Sequence, residues 1–270
     1  MPTVSANGIE LYYEARGHGP RLLFLNGSGA TLATAALLIE PFTQRFETVA
    51  HDQRGLGQTS IPDGPYEMAQ YAADALELLD HLGWDRCRVV GVSFGGMVAQ
   101  ELTVTQPERV ERLALVCTSP GGGGGASYPL DELVDLAPDQ RSTTMARLLD
   151  TRFTPEWLAS HPGDRQLVAR LGAREQLTKT EEQRRGEVEQ LAARRHHDVW
   201  DRLSAVRCPT LVAGGRYDGI APLPNAAAIA SRIPDATLSV YEGGHAFFAQ
   251  DPTALPDVVE FLAGPEPATA

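Results

Sequence analysis

The stretch RVVGVSFGGMVAQEL, residues 88–102, decides the fold. It begins as a β-branched apolar run and continues as a plausible helix. One serine, Ser93, stands at the junction between Gly91 and Gly95. A polar hydroxyl at the end of a buried strand needs a reason. Gly91-Val92-Ser93-Phe94-Gly95 matches G-x-S-x-G, with an expected strand before it and a helix after it. In such a tight turn the serine takes a strained backbone conformation. A side chain two positions to either side would strike the neighbouring strand or helix. The turn holds the hydroxyl beside a helix N-terminus, where free N–H groups and the helix dipole favour negative charge. The plainer alternative is a helix-packing turn whose serine only caps the helix.

Working outward, apolar runs bounded by turn residues recur at 9–15, 21–27, 46–52, 87–93, 112–119, 209–215 and 236–243. Residues 9–15 look like an edge strand and 21–27 like a buried one. Continuous apolar runs suit strands covered on both faces. Between them, residues 66–83 carry Met68, Tyr71, Ala75, Leu78, Leu79 and Leu82 at helical spacing and end at Gly83, a plausible C-cap. Residues 253–264 look like a closing helix. Strands alternating with helices imply an α/β fold with a doubly wound, mostly parallel sheet.

The rhythm breaks after residue 119. PGGGGGASYP, 120–129, reads as a flexible or extended connector that would give hinge freedom. A stretch rich in Arg, Glu, Gln and Leu follows, with helical segments but no clear strand until Cys208. We read 1–119 and 205–270 as the core, and 120–204 as a helical insertion between two strands of one sheet. The Arg and Glu of 181–195 read as a solvated helix face with i,i+4 pairs. The tail from Gly264 is expected to fray.

Apolar residues make up 43% of the 270, enough for a sizeable core, which excludes intrinsic disorder. A net charge of −12 argues against nucleic acid or anionic membrane as the main partner. Three cysteines, Cys87, Cys117 and Cys208, fit neither a disulfide framework nor a zinc site. The N-terminus shows no signal-peptide pattern, and no run is long enough to span a membrane, so a cytoplasmic location is expected. No cofactor motif is present. The pentaglycine lacks the Gly-Lys-Ser/Thr of a phosphate loop. His196-His197-Asp198 lacks a third metal ligand, so no metal is expected.

A serine hydroxyl needs a base. Among the seven histidines, His245 follows an expected strand in a Gly-rich loop at the sheet's carboxyl edge, where it can enter the same crevice as Ser93. The base needs an acid to fix its tautomer. Asp218 follows the strand that resumes the sheet; Asp52 and Asp251 compete but lie outside the expected chain order. A tetrahedral intermediate also needs two N–H donors. One is expected from Phe94, the other from Ser28 in the LNGSGAT loop, with Gly29 close behind.

Along nearly its whole length the chain resembles the α/β-hydrolase superfamily. The matching residues are NGSG (26–29), HDQRGLGQTS (51–60), GVSFGG (91–96), GRYDGIAP (215–222) and GGHAFF (243–248). Residues 51–83 are similar to 3-oxoadipate enol-lactonases and their esterase relatives. The resemblance implies a cofactor-free serine hydrolase of small esters or lactones, with the order Ser93, Asp218, His245. It makes Asp52 and Arg54 scaffold and turns 120–204 into a cap that sets substrate choice. Asn26-Gly27 stands where many relatives carry His-Gly, and Asn26 can order the loop by hydrogen bonding. The NGSGA loop is also similar to that of hydrolases cleaving carbon–carbon bonds in vinylogous 1,5-diketones. Haloperoxidase or perhydrolase activity on the same triad, or a slow-turnover ligand receptor, are the further alternatives. The expected partner is a small-molecule substrate, with a homodimer allowed.

Overall fold

Leu22 and Phe24 face one side of a strand, Leu23 and Leu25 the other, and all four are buried. A strand buried on both faces belongs in the middle of a layered sheet. In the computed structural model, which describes residues 2–175 and 179–265, it is the fourth of eight strands. The strands are β1 Thr3–Ala6, β2 Ile9–Arg16, β3 Arg21–Leu25, β4 Glu47–His51, β5 Cys87–Val92, β6 Val110–Val116, β7 Thr210–Gly215 and β8 Ala236–Tyr241. Their order is β1-β2-β4-β3-β5-β6-β7-β8. Pairing is parallel from β4 to β8 and antiparallel at β1–β2 and β2–β4.

The helices are α1 Leu32–Thr43, α2 Met68–His81, α3 Phe94–Thr105, α4 Pro138–Leu149, α5 Pro155–Ser160, α6 Pro162–Glu175, α7 Glu181–Arg195, α8 Leu223–Arg232, α9 Phe247–Gln250 and α10 Ala254–Ala263. On one face of the sheet, Leu23, Leu25, Val89 and Leu115 pack with Tyr71, Leu78, Met97, Leu102 and Ile229 of α2, α3 and α8. On the other, Phe24, Val90, Val92 and Val116 pack with Phe42, Phe247, Val258 and Leu262 of α1, α9 and α10. The sheet is thus doubly wound, as its pattern predicted. Helix α2 ends where its glycine stands: Gly83 has φ +66°, its N–H donates to Asp80 O, and the Trp84 N–H donates to Leu79 O.

Three expectations change. Residues 9–15 are not an edge strand; β1 occupies the edge, joined to β2 through Asn7-Gly8, both at positive φ. Asn-Gly between two alternating runs is a hairpin signal, but β1 is only four residues long. The pentaglycine is neither extended nor loose. It folds into a tight turn in which Gly121 N–H donates to Gly125 O, and it packs against His197, Asp198 and Trp200. The charged groups of α7 pair across the fold rather than along the helix: Arg185 with Asp63, Arg195 with Asp131 and Glu132. Between the neighbouring strands β6 and β7 lie helices α4–α7. Residues 266–270, most of the expected frayed tail, fall outside the described residues.

The segment after β4 is scaffold. Asp52 Oδ1 accepts the Leu32 N–H at the start of α1, and its Oδ2 accepts the Gln58 N–H. Arg54 grips Asp74 through two hydrogen bonds of 2.7 and 2.9 Å, both side chains buried. Burial pushes the Asp74 carboxyl up, and Arg54 and Asn7 pull it back. Asp74→Asn would leave the Arg54 charge buried without its partner, at a cost of about 3–5 kcal/mol. The expected result is a thermal midpoint lowered by about 10 °C. A midpoint within a degree of wild type would show that water reaches Arg54 and that the pair adds little.

Candidate active site

The turn between β5 and α3 carries Ser93 at φ 55°, ψ −114°, a conformation L-residues rarely adopt. The turn is held from three directions. Ser93 N–H donates to Val116 O at 2.8 Å, Thr118 Oγ1 donates to Ser93 O at 2.8 Å, and the Gly96 N–H donates to the same carbonyl. A Cβ on Gly91 would lie 2.3 Å from Gly95 O, and one on Gly95 only 2.0 Å from Leu25 O. Both neighbours are backbone and have no rotamer to escape into. Gly95→Ala is therefore expected to destabilise the fold by about 3 kcal/mol or more. Chemical denaturation would measure it, and a wild-type midpoint would show that α3 can slide away from β3.

His245 and Asp218 arrive from the ends of β8 and β7, beside β6 and β5. His245 Nε2 lies 2.9 Å from Ser93 Oγ, and His245 Nδ1 lies 2.8 Å from Asp218 Oδ2. A carboxylate only accepts, so Nδ1 carries the proton and Nε2 is left to accept from the serine hydroxyl. Asp218 is fixed by two N–H groups, from Ile220 at 2.8 Å and Ala221 at 2.9 Å, both on Oδ1. Burial of the imidazole opposes its protonation, but the Asp218 carboxylate, with Cys117, outweighs this and raises the His245 pKa. The competing acids are occupied elsewhere. Asp52 serves α1, and Asp251 accepts from Glu242 N–H and Thr253.

Of the two expected oxyanion donors, Phe94 N–H opens α3, where the first N–H groups have no partner within the helix. The loop holding Ser28 passes close to Ser93: a Cβ on Gly27 would lie 3.6 Å from Ser93 Cβ. Gly29, the second choice, is excluded as a donor to substrate, because its N–H is given to Gln190 Oε1 at 2.8 Å. Asn26 Nδ2 has no hydrogen-bond partner among the described residues. The Asn26 carbonyl has one, accepting from Gln53 Nε2 at 2.8 Å.

Sequence reasoning missed several residues that hold these loops. The last carbonyls of α4 accept from both the Asp218 and the His245 loops: Gly219 N–H on Leu148 O at 3.0 Å, and His245 N–H on Leu149 O at 2.6 Å. A Cβ on Gly244 would lie 1.9 Å from Leu149 O, which explains the Gly before His245. The same helix end points its negative pole at the His245 loop and favours an imidazolium there. Nearby, the fully buried Asp150 is held by Arg152 and by Gln250, whose Oε1 accepts the Gly244 N–H. Carbonyl acceptors leave no sequence signal. Among the described residues no group of three or more His, Cys, Asp and Glu is arranged for a metal ion, and no helix is long and apolar enough to cross a membrane.

Sheet order, helix placement and the serine-bearing turn together define an α/β hydrolase. The chain belongs to the alpha/beta hydrolase fold family, whose sequence pattern matches residues 20–252, and it is a hydrolytic enzyme. It is 28% identical over 265 residues to 3-oxoadipate enol-lactonase 2 of Acinetobacter baylyi, covering 96% of this chain and 94% of the relative. It is 32% identical over 261 residues to 2-hydroxymuconate semialdehyde hydrolase of Pseudomonas putida, covering 90% of this chain and 86% of the relative. The crystal structure of the enol-lactonase from Burkholderia xenovorans superposes with a TM-score of 0.80 at 22% identity, over 97% of this chain and 100% of that one.

Proposed function

We propose that this protein is a serine hydrolase that cleaves a small carboxylic ester or lactone through an acyl-enzyme. The observation that carries the reading is the row of two hydrogen bonds, Ser93 Oγ to His245 Nε2 and His245 Nδ1 to Asp218 Oδ2. Ser93 Oγ attacks the carbonyl carbon and its proton passes to His245 Nε2. The oxyanion rests on the N–H groups of Phe94 and Ser28. His245 then protonates the leaving oxygen as the acyl–oxygen bond breaks. Water gives a proton to His245 and its hydroxide to the acyl carbon, and Ser93 takes its proton back. Asp218 holds the imidazole in register and stabilises its charge throughout. Protein groups and water balance the cycle without a cofactor. Residues 120–204 act as the cap over the bound substrate, and the three free, buried cysteines suit a reducing cytoplasm.

The test is an active-site fluorophosphonate followed by intact mass and peptide mapping. The expected result is one adduct, on the peptide containing Ser93, together with turnover of a short-chain p-nitrophenyl ester. A folded protein that neither labels nor turns over would overturn the proposal. Carbon–carbon bond hydrolysis on the same residues is the second reading. The 32% identity to a hydrolase of 2-hydroxymuconate semialdehyde favours it. Turnover of a dienol-diketone by a protein with no esterase activity would establish it instead.

A further inference from the structure

Helix α7 buries an unusual stripe: Gly186, Gln190, Ala193 and Arg194. None is a large hydrophobe, so the stripe does not exist to fill a core. Gly186 lets the helix lie against Gly55, with a Cβ there only 2.1 Å from Gly55 O. One turn on, Gln190 is 1% exposed. A buried amide is costly unless its donors and acceptor are used. Gln190 Oε1 accepts the Gly29 N–H at 2.8 Å, and Gln190 Nε2 donates to Gln53 Oε1 at 3.0 Å. Gln53, equally buried, donates Nε2 to Asn26 O at 2.8 Å. Two side-chain amides in series thus hold both ends of the loop 26–29. Inside that grip, Ala30 N–H donates to Gly27 O and closes a turn. With the carbonyl of 26 and the N–H of 29 fixed, the 27–28 peptide between them has little rotation left. That peptide carries the Ser28 N–H.

We infer that Gln190 is a positioning residue for the oxyanion hole, supplied by the helical insertion and acting with Gln53 to aim the Ser28 N–H. The inference rests on the serine-hydrolase reading above. A hole must be arranged before charge develops, because reorienting a dipole in the transition state forfeits the gain. The core builds only half of the arrangement, since Gln53 reaches Asn26 while the Gly29 end is held from α7. Removing Gln190 leaves Ser93, His245, Asp218 and both donors in the chain but frees the loop.

The experiment compares an ester with its thionoester, in which sulfur replaces the carbonyl oxygen. Sulfur accepts hydrogen bonds poorly, so the ratio of the two rates reads how well the N–H groups are aimed at oxygen. Gln190→Met keeps the length and volume of the side chain and removes its amide. It is expected to lower kcat for the ester about tenfold to a hundredfold, less than the ~10²–10³ of losing a donor outright. KM should change less than about threefold, and the ester-to-thionoester ratio should fall about fivefold or more. Gln53→Met should lower the same ratio less. The double variant should lower the ratio further than Gln190→Met alone, because each amide holds its own end of the loop. An unchanged ratio in folded Gln190→Met would overturn the inference, as would an equal loss on both substrates. If that variant does not fold, an unchanged ratio in folded Gln53→Met overturns it. Fluorophosphonate labelling of the wild type separates the two readings. A wild type that never labels removes the hydrolase reading and this inference with it, whereas a wild type that labels beside a Gln190 variant of full ratio removes this inference alone.

Discussion

Ser93→Ala is expected to lower kcat by on the order of a millionfold while leaving the fold intact. On the proposed mechanism the size follows from the cooperation of three groups: without the Ser93 hydroxyl, His245 and Asp218 would have nothing to activate. Fold retention follows from the turn's own anchors. Ser93 N–H on Val116 O and the Thr118 hydroxyl on Ser93 O engage only the main chain of residue 93, which alanine keeps. A companion variant separates chemistry from strain. At φ 55°, ψ −114° the serine backbone stores about 1–3 kcal/mol, and glycine visits that region without penalty. Glycine also gains entropy when unfolded, which offsets part of the relief. Ser93→Gly should therefore be as inactive as Ser93→Ala but melt about 2–4 °C higher, a net gain of about 1 kcal/mol. Inactivity with a raised midpoint would show that strain was accepted to hold the hydroxyl proud of the sheet. An active Ser93→Ala would place the chemistry on another residue.

The site is braced from the segment between β6 and β7. Its three loops each give one N–H to an acceptor there: Gly29 to Gln190, Gly219 to Leu148 and His245 to Leu149. Those helices therefore anchor all three loops, and the packed glycine turn at 121–125 fits a fixed brace better than a swinging hinge.

How much of this was legible in the sequence depends on which atoms carry the signal. Strands β3, β5 and β7 show as unbroken apolar runs because both faces are covered. The serine turn shows because it demands glycine on both sides, and Asp218 and His245 show because reactive side chains sit just past strand ends. Edge strand β1 was hidden by its shortness. The buried stripe of α7 was hidden by composition, since Gly, Gln, Ala and Arg at helical spacing look like a solvated surface. Leu148 and Leu149 act through backbone carbonyls, which any residue provides. Asn26 is gripped through its main-chain carbonyl, which any residue provides, and the side chains that reach the loop, Gln53 and Gln190, come from elsewhere in the chain.

Asp218→Asn tests the charge rather than the presence of the row. The expected loss in kcat is about 10⁴-fold, because asparagine can hold the imidazole in the wrong tautomer and cannot stabilise its positive charge. The pH dependence carries the sharper information. In the proposed mechanism His245 acts as a base only when neutral, and in the wild type its pKa is raised above the ordinary 6.5. Activity should therefore fall as pH drops through that raised pKa and reach its plateau above it. Burial alone would push the imidazole the other way, and Asp218, the larger contributor, overcomes burial together with Cys117. With the carboxylate gone, the largest opponent of burial is lost, and the acidic limb of the kcat/KM profile should move to lower pH even as the whole profile sinks. That limb reports the free enzyme's base. A profile that sinks without shifting would mean that Asp218 orients His245 but does not set its charge, and Cys117 and the helix end at Leu149 would then be the groups that favour the imidazolium.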